Sequence, residues 1–283
     1  MKIDNELLCD NLFLDSYNLI HRSRFDWGGG LATGENQIIY NFMKSIRPIL
    51  EKFSPKKVYF ILDGAPKARL EADSEYKANR KQENLTPEEE AYWASFHKQK
   101  REIIRLAKEL LPFTTVYHPD YECDDILAHL ATTTDGDNVI ISSDTDFIQA
   151  LDLSPNVRLW NPVSQQFRER LDVDYAKFKA LTGDKTDNIP GVKGVGKVGA
   201  EKMLKDKALW DKKMSSAESM EQFNHSYNLV KFADMAPVVS QFHVYNGDFS
   251  EEELEMEFEK FGFKSMLAES YFSRYVEIMN SLC

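Results

Sequence analysis

The 283-residue sequence predicts an α/β fold with a mostly parallel central sheet and a second, helical subdomain. Three observations support this. Short apolar segments that end in aspartate are separated by segments with helical spacing of apolar residues. A long, charged helical insertion occupies about 65–111. A glycine-rich hairpin that leads into a helix follows near residue 190. We therefore predict an α/β core over 1–170, which includes the insertion, and a helical subdomain over 171–283.

Composition limits the class of protein. A hydrophobic content of 42% and an aromatic content of 12% are typical of a folded chain. The apolar runs are too short to cross a membrane, and the N-terminus does not resemble a signal peptide. Cys9, Cys123 and Cys283 form neither a disulfide framework nor a zinc motif, so we expect a reducing cytoplasm. The net charge of −11 argues against nucleic acid unless bound cations neutralise clustered carboxylates.

The central motif is the stretch 139–147, VIISSDTDF. Its three apolar residues predict a short buried strand, and Asp144 and Asp146 follow at i, i+2, on the same side of an extended chain. Ligands of open α/β sheets bind beyond the C-terminal ends of strands. Two adjacent carboxylates there favour a hard divalent cation. An Asp-rich turn, with Asp146 capping the next helix, is the alternative interpretation of this stretch alone.

Two earlier strands share this design. The segment 11–15, NLFLD, ends in Asp15, and the segment 57–63 ends in Asp63. Between them, the glycine-rich loop 26–34 lacks the pattern of a phosphate-binding loop and is interpreted as a flexible turn. The segment 37–53 has the apolar spacing of a helix packed on the sheet.

The charged insertion is predicted to be helical. A helix over 68–82 would place Tyr76, Lys77 and Arg80 on one face. A second helix begins with Thr86 as the N-cap and runs to about 111. Two interpretations stay open at this point: a solvated helical hairpin, or an arm that places the three side chains above the carboxylates.

A further strand over 113–117 precedes an acidic helix start. Glu122 and Asp125, at i, i+3, can share a helix face, whereas Asp124 points elsewhere on an ideal helix. Acidic residues also simply favour helix N-termini, which is the structural alternative.

The second half contains short strands at 157–160 and 166–170, and a helix capped by Asp172. Asp184 and Asp187 form another carboxylate pair at i, i+3. The last segment, 208–283, is helical in pattern and is expected to complete the fold around the hairpin.

The hairpin 189–196 is followed by a helix, so the predicted helix-hairpin-helix spans about 177–205. Glycines before a helix N-terminus expose amide groups to a phosphate, and nearby lysines add positive charge. This pattern predicts binding to a nucleic-acid backbone without sequence specificity. The candidate DNA-binding residues in the hairpin are Gly191, Lys193, Gly194, Gly196 and Lys197.

Nine carboxylates form the candidate metal centre. They are Asp15, Asp63, Glu122, Asp124, Asp125, Asp144, Asp146, Asp184 and Asp187. No His or Cys accompanies them, so Mg²⁺ is favoured over zinc, with Mn²⁺ as a substitute. Nine exceed the needs of one ion, and two ions can clamp an in-line phosphoryl displacement. The residues thus predict a metal-dependent phosphodiesterase that acts on nucleic acid.

These motifs, in this order, resemble the 5′-nuclease family of 5′→3′ exonucleases and flap endonucleases over roughly 12–263. The likeness includes the N-terminal nuclease domain of bacterial DNA polymerase I and free-standing bacteriophage members of the T-even ribonuclease H type. It rests on LFLD ending at Asp15, ILDG with Asp63, EYKANR at 75–80, YECDD at 121–125, ISSDTDF with Asp144 and Asp146, and TGDKTDNIPGVKGVG at 182–196.

The resemblance implies a PIN-like core, a helical arch over the active site and a helix-hairpin-helix that grips duplex DNA. It also implies two metal sites and a reaction that leaves a 5′-phosphate and a 3′-hydroxyl. The first ion would bind the residues matching Asp15, Asp63, Glu122 and Asp124. The second would bind, partly through water, Asp144, Asp146, Asp184 and Asp187, with Asp125 in the same cluster.

The resemblance assigns roles to other residues. Lys77 and Arg80 would steady the charge on the scissile phosphate. Tyr76 would stack on a base. Lys179 matches a family lysine near the DNA, and K⁺ is a candidate ligand of the hairpin.

The predicted function is removal of 5′ flaps and RNA primers from DNA and RNA/DNA duplexes during replication. Candidate protein partners are a single-strand-binding protein or a sliding clamp, and a monomer in the cytoplasm (the host's, if phage-encoded) is expected. Two alternative functions belong to other classes. A non-catalytic junction-binding protein would need many carboxylates packed without metal. A PIN-type single-strand ribonuclease would lack the hairpin at 189–196.

Overall fold

The computed structural model describes residues 7–26, 28–80 and 84–283. Residue 27 of the glycine-rich loop and the last residues of the predicted helix 68–82 lie outside this range. A seven-stranded sheet forms the centre of the described chain. Its strands are β1 (Asn11–Asp15), β2 (Lys57–Ile61), β3 (Thr114–Tyr117), β4 (Asn138–Ile141), β5 (Val157–Asn161), β6 (Gln166–Arg168) and β7 (His243–Asn246).

The strand order is β6-β5-β4-β1-β2-β3-β7. The five inner strands are parallel, and β6 and β7 run antiparallel at the two edges. From β1 the chain builds outward through β2 and β3 and later, on the other side, through β4 and β5. The order therefore reverses between β1 and β4, where open α/β sheets bind ligands. The predicted α/β class with a mostly parallel sheet is confirmed.

Twelve α-helices are present in the described residues. They are α1 (Ser16–Arg22), α2 (Gln37–Phe53), α3 (Lys67–Ala72), α4 (Pro87–Glu109), α5 (Cys123–Thr133), α6 (Ile148–Leu153), α7 (Tyr175–Thr182), α8 (Lys197–Lys205), α9 (Lys207–Met214), α10 (Ala217–Val230), α11 (Glu251–Phe261) and α12 (Glu269–Asn280).

The helices cover both faces of the sheet. Successive strand residues face opposite sides, so Leu12 and Leu14 enter the core that also contains Phe42 of α2. Phe13 enters the opposite core, with Ile126 of α5. All five residues of β1 are buried, as expected for a parallel strand covered on both faces.

Two helix starts test the predicted caps. Thr86 forms a capping box with Glu89 at the start of α4, as its sequence predicts. The cap of α7 is Asp174, whose side chain accepts from the Lys177 amide. Asp172 is not the cap, and this detail of the prediction was wrong.

The charged insertion is less helical than predicted. Helix α3 ends at Ala72, and the chain then turns before a single 3₁₀ turn over Ala78–Arg80. Lys77 adopts a left-handed conformation with φ +56°, which no α-helix contains. A continuous helix with Tyr76, Lys77 and Arg80 on one face was therefore wrong, although α4 forms as the long second helix.

The segment from 175 to 230 forms the helical subdomain around the hairpin. Leu181, Val192, Ala200 and Phe223 pack in its core. The chain beyond 241 does not stay there: β7 pairs with β3, and Phe258 of α11 enters the main core. The expectation that 208–283 completes the fold around the hairpin thus holds only for its first part.

None of the helices in the described chain is long and apolar enough to cross a bilayer.

Candidate active site

Asp15, the last residue of β1, lies at the reversal point of the sheet. Its carboxylate caps α1 by accepting from the Asn18 amide at 3.1 Å. It also accepts from the Ser142 hydroxyl at 2.6 Å, at the end of the neighbouring strand β4. Asp63, beyond β2, accepts from the Cys123 amide at 2.8 Å. The strand-end carboxylates are thus fixed by hydrogen bonds to adjacent strand ends and to the start of α5.

Asp124 interacts electrostatically with Asp15 and Asp144, whereas Glu122 and Asp125 share a buried counter-charge. Burial and then the charges of Asp15 and Asp144 raise the pKa of Asp124 well above its usual value. Glu122 and Asp125 instead share a buried guanidinium, Arg69. Glu122 and Asp125 thus share one partner, as their i, i+3 spacing predicts, and Asp124 lies close enough to Asp15 and Asp144 for their charges to affect it.

The carboxylates at the strand ends resist ionisation when crowded together. Burial, with further contributions from Asp144 and Asp63, raises the pKa of Asp15 to about 7. Burial and the charge of Glu122 raise the pKa of Asp63. Such a site has unfavourable electrostatics that a cation would relieve.

Asp15→Asn is expected to stabilise the metal-free protein at neutral pH. Because burial raises the pKa of Asp15 from 3.8 to about 7, its ionisation destabilises the folded state, and stability is lost as the pH rises from about 4 to about 7. Asparagine keeps the oxygen that caps α1. Thermal unfolding in EDTA at about pH 8 should show a Tm several degrees higher, with a smaller difference at about pH 5.

Asp184→Asn is the control, and the opposite sign is expected. Burial raises the pKa of Asp184, but the hydrogen bond and charge of Lys179 bring that pKa below its ordinary value. Its ionised form therefore stabilises the fold at neutral pH. A lower Tm for Asp15→Asn at about pH 8 would contradict the electrostatic account.

The second group of carboxylates converges most closely. Oxygen atoms of Asp146, Asp184 and Asp187 lie within 4.8 Å of one another. In the described chain, this is the one group of three or more potential ligands at such spacing. Lys179 Nζ lies 2.7 Å from Asp146 and also contacts Asp184. Burial and the charge of Asp144 raise the pKa of Asp146 to about 6.

A short turn positions two members of this trio. The backbones of Asp184 and Ile189 exchange hydrogen bonds of 2.9 and 2.7 Å, which close the turn 184–189. Gly183 and Gly191, both with positive φ, lie against each other behind it. A Cβ on Gly191 would come within 2.4 Å of the Gly183 nitrogen, so glycine is required for this close approach.

Arg69 is a buried residue that the sequence analysis missed. It donates two hydrogen bonds to Asp125, one to Glu122 and two to the backbone carbonyls of Leu229 and Lys231. One side chain thereby joins α3, α5 and the end of α10. Asp125 is 1% exposed and also accepts from the Ala233 amide, so its oxygens are fully engaged within the protein.

Arg69→Ala is expected to destabilise the fold by about 3–5 kcal/mol, because it leaves a buried carboxylate without its counter-charge. Denaturant unfolding would measure this change. A double-mutant cycle with Asp125→Ala should show strong coupling, since the second substitution removes the charge that the first exposes. Additive effects of the two substitutions would contradict the assigned pairing.

The candidate catalytic residues of the insertion lie over the carboxylates. Lys77 Nζ contacts Glu122 and lies 3.6 Å from Asp187, which also contacts the Arg80 guanidinium. Although burial lowers it, the charge of Glu122 raises the pKa of Lys77, so the ammonium stays protonated. Tyr76 is 5% exposed and donates to Glu122 at 3.1 Å. Its ring is buried with Ile189, Leu229 and Val230, and stacking of a base on it stays a prediction.

The hairpin presents a different surface. Lys193, Gly194, Gly196 and Lys197 are exposed. A Cβ built on Gly194 or Gly196 meets no atom within 4 Å, so the backbone here is open to solvent. Lys179 does not join this surface, because its side chain lies among the carboxylates. The structure places it with the candidate metal ligands and away from the exposed hairpin.

Comparison with known proteins matches both parts of the chain. A family model described as "5′-3′ exonuclease, N-terminal resolvase-like domain" covers residues 10–182. Another, "5′-3′ exonuclease, C-terminal SAM fold", covers residues 172–267. Such a resolvase-like α/β core with a carboxylate centre and a small helical domain defines a PIN-like nuclease. The chain belongs to the 5′-3′ exonuclease family.

Relatives include the thermostable DNA polymerase I of Thermus thermophilus, which is 34% identical over an alignment of 209 residues that covers 69% of this chain and 24% of the polymerase. DNA polymerase I of Lactococcus lactis is 27% identical over 264 residues, covering 86% of this chain and 28% of that protein. The chain thus spans about a quarter of these relatives.

Solved structures share the fold. The bacteriophage T5 5′-exonuclease with divalent metal ions (zinc) superposes with a TM-score of 0.60 at 22% identity, over 78% of this chain and 86% of that one. The T5 flap endonuclease in a pseudo-enzyme-product complex with DNA and metal ions gives 0.63 at 19% identity, over 96% and 99%.

Proposed function

We propose that this chain is a divalent-metal-dependent 5′-nuclease that cleaves phosphodiester bonds in branched or 5′-ended duplex DNA and RNA/DNA. The observation that carries the proposal is the trio Asp146, Asp184 and Asp187, whose oxygens lie within 4.8 Å beneath Lys77 and Arg80. Family membership supports it, as do the metal ions and DNA bound to the T5 enzymes that share the fold.

The side chains suit Mg²⁺, because every candidate ligand is a carboxylate oxygen. The trio, with Asp144, would hold one ion, and Asp15, Asp63 and Asp124, with Glu122, would hold the other. When bound, such ions polarise phosphoryl oxygens and favour ionisation of a water nucleophile. Two ions, their identity as Mg²⁺ and replacement by Mn²⁺ stay predictions.

Three cations of the chain complement this centre. Lys77 and Arg80 can donate to the non-bridging oxygens of a phosphate, where negative charge develops during displacement. Lys179 ties Asp146 to Asp184 and so keeps two trio members together. The protein's part in catalysis is to orient the phosphate and to stabilise charge.

We further propose that the hairpin binds the duplex backbone. Its exposed residues Gly194 and Gly196 precede the N-terminus of α8, whose dipole favours phosphate. Its two exposed lysines supply charge that an acidic protein otherwise lacks. Potassium at the hairpin, primer removal, and contacts with a single-strand-binding protein or a clamp remain predictions of the resemblance.

Lys193→Ala combined with Lys197→Ala is expected to weaken duplex binding and to reduce its salt dependence. Each lost phosphate contact should lower the slope of log K against log salt by about 0.9. Fluorescence anisotropy across a salt series would measure both quantities. Lys56→Ala with Lys57→Ala, at the N-terminal end of β2, is the matched control. An unchanged slope in the hairpin variant would remove these lysines from the interface.

The function itself is tested with a 5′-flap duplex labelled at the flap end, incubated with the protein in Mg²⁺ or EDTA. Mg²⁺-dependent release of the flap near the junction would establish the activity and its polarity. Binding without cleavage, in Mg²⁺ and Mn²⁺ alike, would favour the non-catalytic junction-binding alternative. Cleavage of single-stranded RNA alone would favour the PIN-type ribonuclease.

A further inference from the structure

Two segments that are distant in sequence contact each other at the carboxylate trio. The segment 75–80 carries Lys77 and Arg80, and the turn 184–188 carries Asp184 and Asp187. We call these two segments together the latch. They are more than 100 residues apart in sequence, so their contact is purely tertiary.

Two asparagine side chains cross-link the latch reciprocally. Asn79 Nδ2 donates to the Lys185 carbonyl at 2.8 Å. Asn188 Nδ2 donates in the opposite direction, to the Glu75 carbonyl, also at 2.8 Å. Each segment therefore contributes one side-chain donor and one backbone acceptor. Together the two bonds fix the position and orientation of the segment 75–80 relative to the turn 184–188.

Two further hydrogen bonds join the segments. The Lys77 amide donates to the Asp187 carbonyl at 3.0 Å, and Arg80 Nε to the Thr186 carbonyl at 3.4 Å. The hydrogen bond of the Lys77 amide stabilises this residue at a φ of +56°, which is unfavourable for lysine. The tertiary contacts thus compensate for a backbone conformation that the sequence disfavours locally.

Below the latch, Tyr76 packs in a small apolar cluster with Ile189, Leu229 and Val230. Asn79 and Asn188 lie on the exposed side. Solvent-exposed hydrogen bonds contribute modestly to global stability, so deleting them should leave the protein folded. Their effect on side-chain position is expected to be larger, because they lie next to Lys77 and Arg80, the two cations above the trio.

We propose that Asn79 and Asn188 are positioning residues that hold Lys77 and Arg80 over the catalytic carboxylates. This inference rests on the proposed function and adds the device that aligns its two cations. Displacement of a charge-stabilising group by about 1 Å can cost up to 10²-fold in rate. Loss of the latch should therefore lower the rate of cleavage and leave ground-state DNA binding almost unchanged.

The substitutions Asn79→Ala and Asn188→Gly, alone and combined, test the proposal. Asn188 has φ +59°, so glycine removes the amide and tolerates the backbone. Gln165→Gly is the matched control, since Gln165 also has a positive φ, of 53°, and lies in the turn between β5 and β6. Thermal unfolding verifies that each variant is folded.

Hydrogen exchange of the metal-free protein provides the readout that needs no catalysis. The double variant should accelerate exchange of the Lys77 amide by about tenfold or more, because its bond to the Asp187 carbonyl opens more often. On the flap duplex, kcat should fall about tenfold or more, with Kd in EDTA changed less than twofold. The control should match the wild type in all three measurements.

An unchanged exchange rate of the Lys77 amide in the double variant would show that the two asparagines do not hold the segment 75–80. Faster exchange with an unchanged kcat would overturn its positioning role. If the wild type fails to cleave flap DNA, the proposed function fails, whereas the exchange measurement still decides whether the two asparagines hold the segment. The two failures are therefore distinguishable.

Discussion

Asp146→Asn is expected to reduce the rate of flap cleavage by on the order of 10³-fold or more and to leave DNA binding in EDTA largely intact. Asp146 belongs to the trio whose oxygens lie within 4.8 Å. Replacing one carboxylate by an amide removes a charged ligand and weakens cation binding. A bound cation stabilises the transition state by several kcal/mol, and a loss of about 4 kcal/mol corresponds to a 10³-fold lower rate.

The measurement has two parts. Single-turnover cleavage in Mg²⁺ reports the chemistry, and calorimetric titration with Mn²⁺ reports whether a binding event is lost. Asp172→Asn is the control, because Asp172 is an exposed carboxylate of the same half of the chain that pairs only with Lys205 in the described ion pairs. Wild-type turnover in Asp146→Asn would refute the metal assignment for the trio.

Much of this centre could be predicted from local sequence. Strands β1, β2 and β4 are short apolar runs, and parallel strands bring their C-terminal ends to one edge. Asp15 and Asp63 are therefore neighbours of the stretch 142–147 as soon as the strands are correctly identified. The glycine hairpin could also be predicted locally, because Gly191 and Gly194 adopt positive φ and Gly191 approaches the backbone of Gly183 closely.

The features that were missed depend on tertiary contacts. Nothing near Arg69 in the sequence distinguishes it from other arginines, yet it pairs with both Glu122 and Asp125 at the acidic helix start. The left-handed turn at Lys77 depends on the segment 184–188, over 100 residues away. β7 is a four-residue strand whose pairing with β3 has no local signal.

The turn at Lys77 also explains why this residue is suited to electrostatic catalysis. A lysine on a regular helix would extend from the insertion into solvent. Here the reversed backbone brings the ammonium to Glu122 and within 3.6 Å of Asp187, with only 18% of the side chain exposed. A charge held in this partly desolvated position interacts more strongly with a phosphate than an exposed charge does.

Lys77→Ala is accordingly expected to lower kcat for flap cleavage by about 10²–10³-fold, as loss of one preorganised charge-stabilising donor does, with a much smaller change in Kd. Single-turnover kinetics and anisotropy in EDTA would separate the two. Lys67→Ala, an exposed lysine of α3, is the control. If Lys77→Ala instead weakened binding and left kcat intact, Lys77 would be a DNA-binding residue that interacts equally with ground and transition states, and charge stabilisation at the scissile phosphate would have to come from Arg80 or the bound ions.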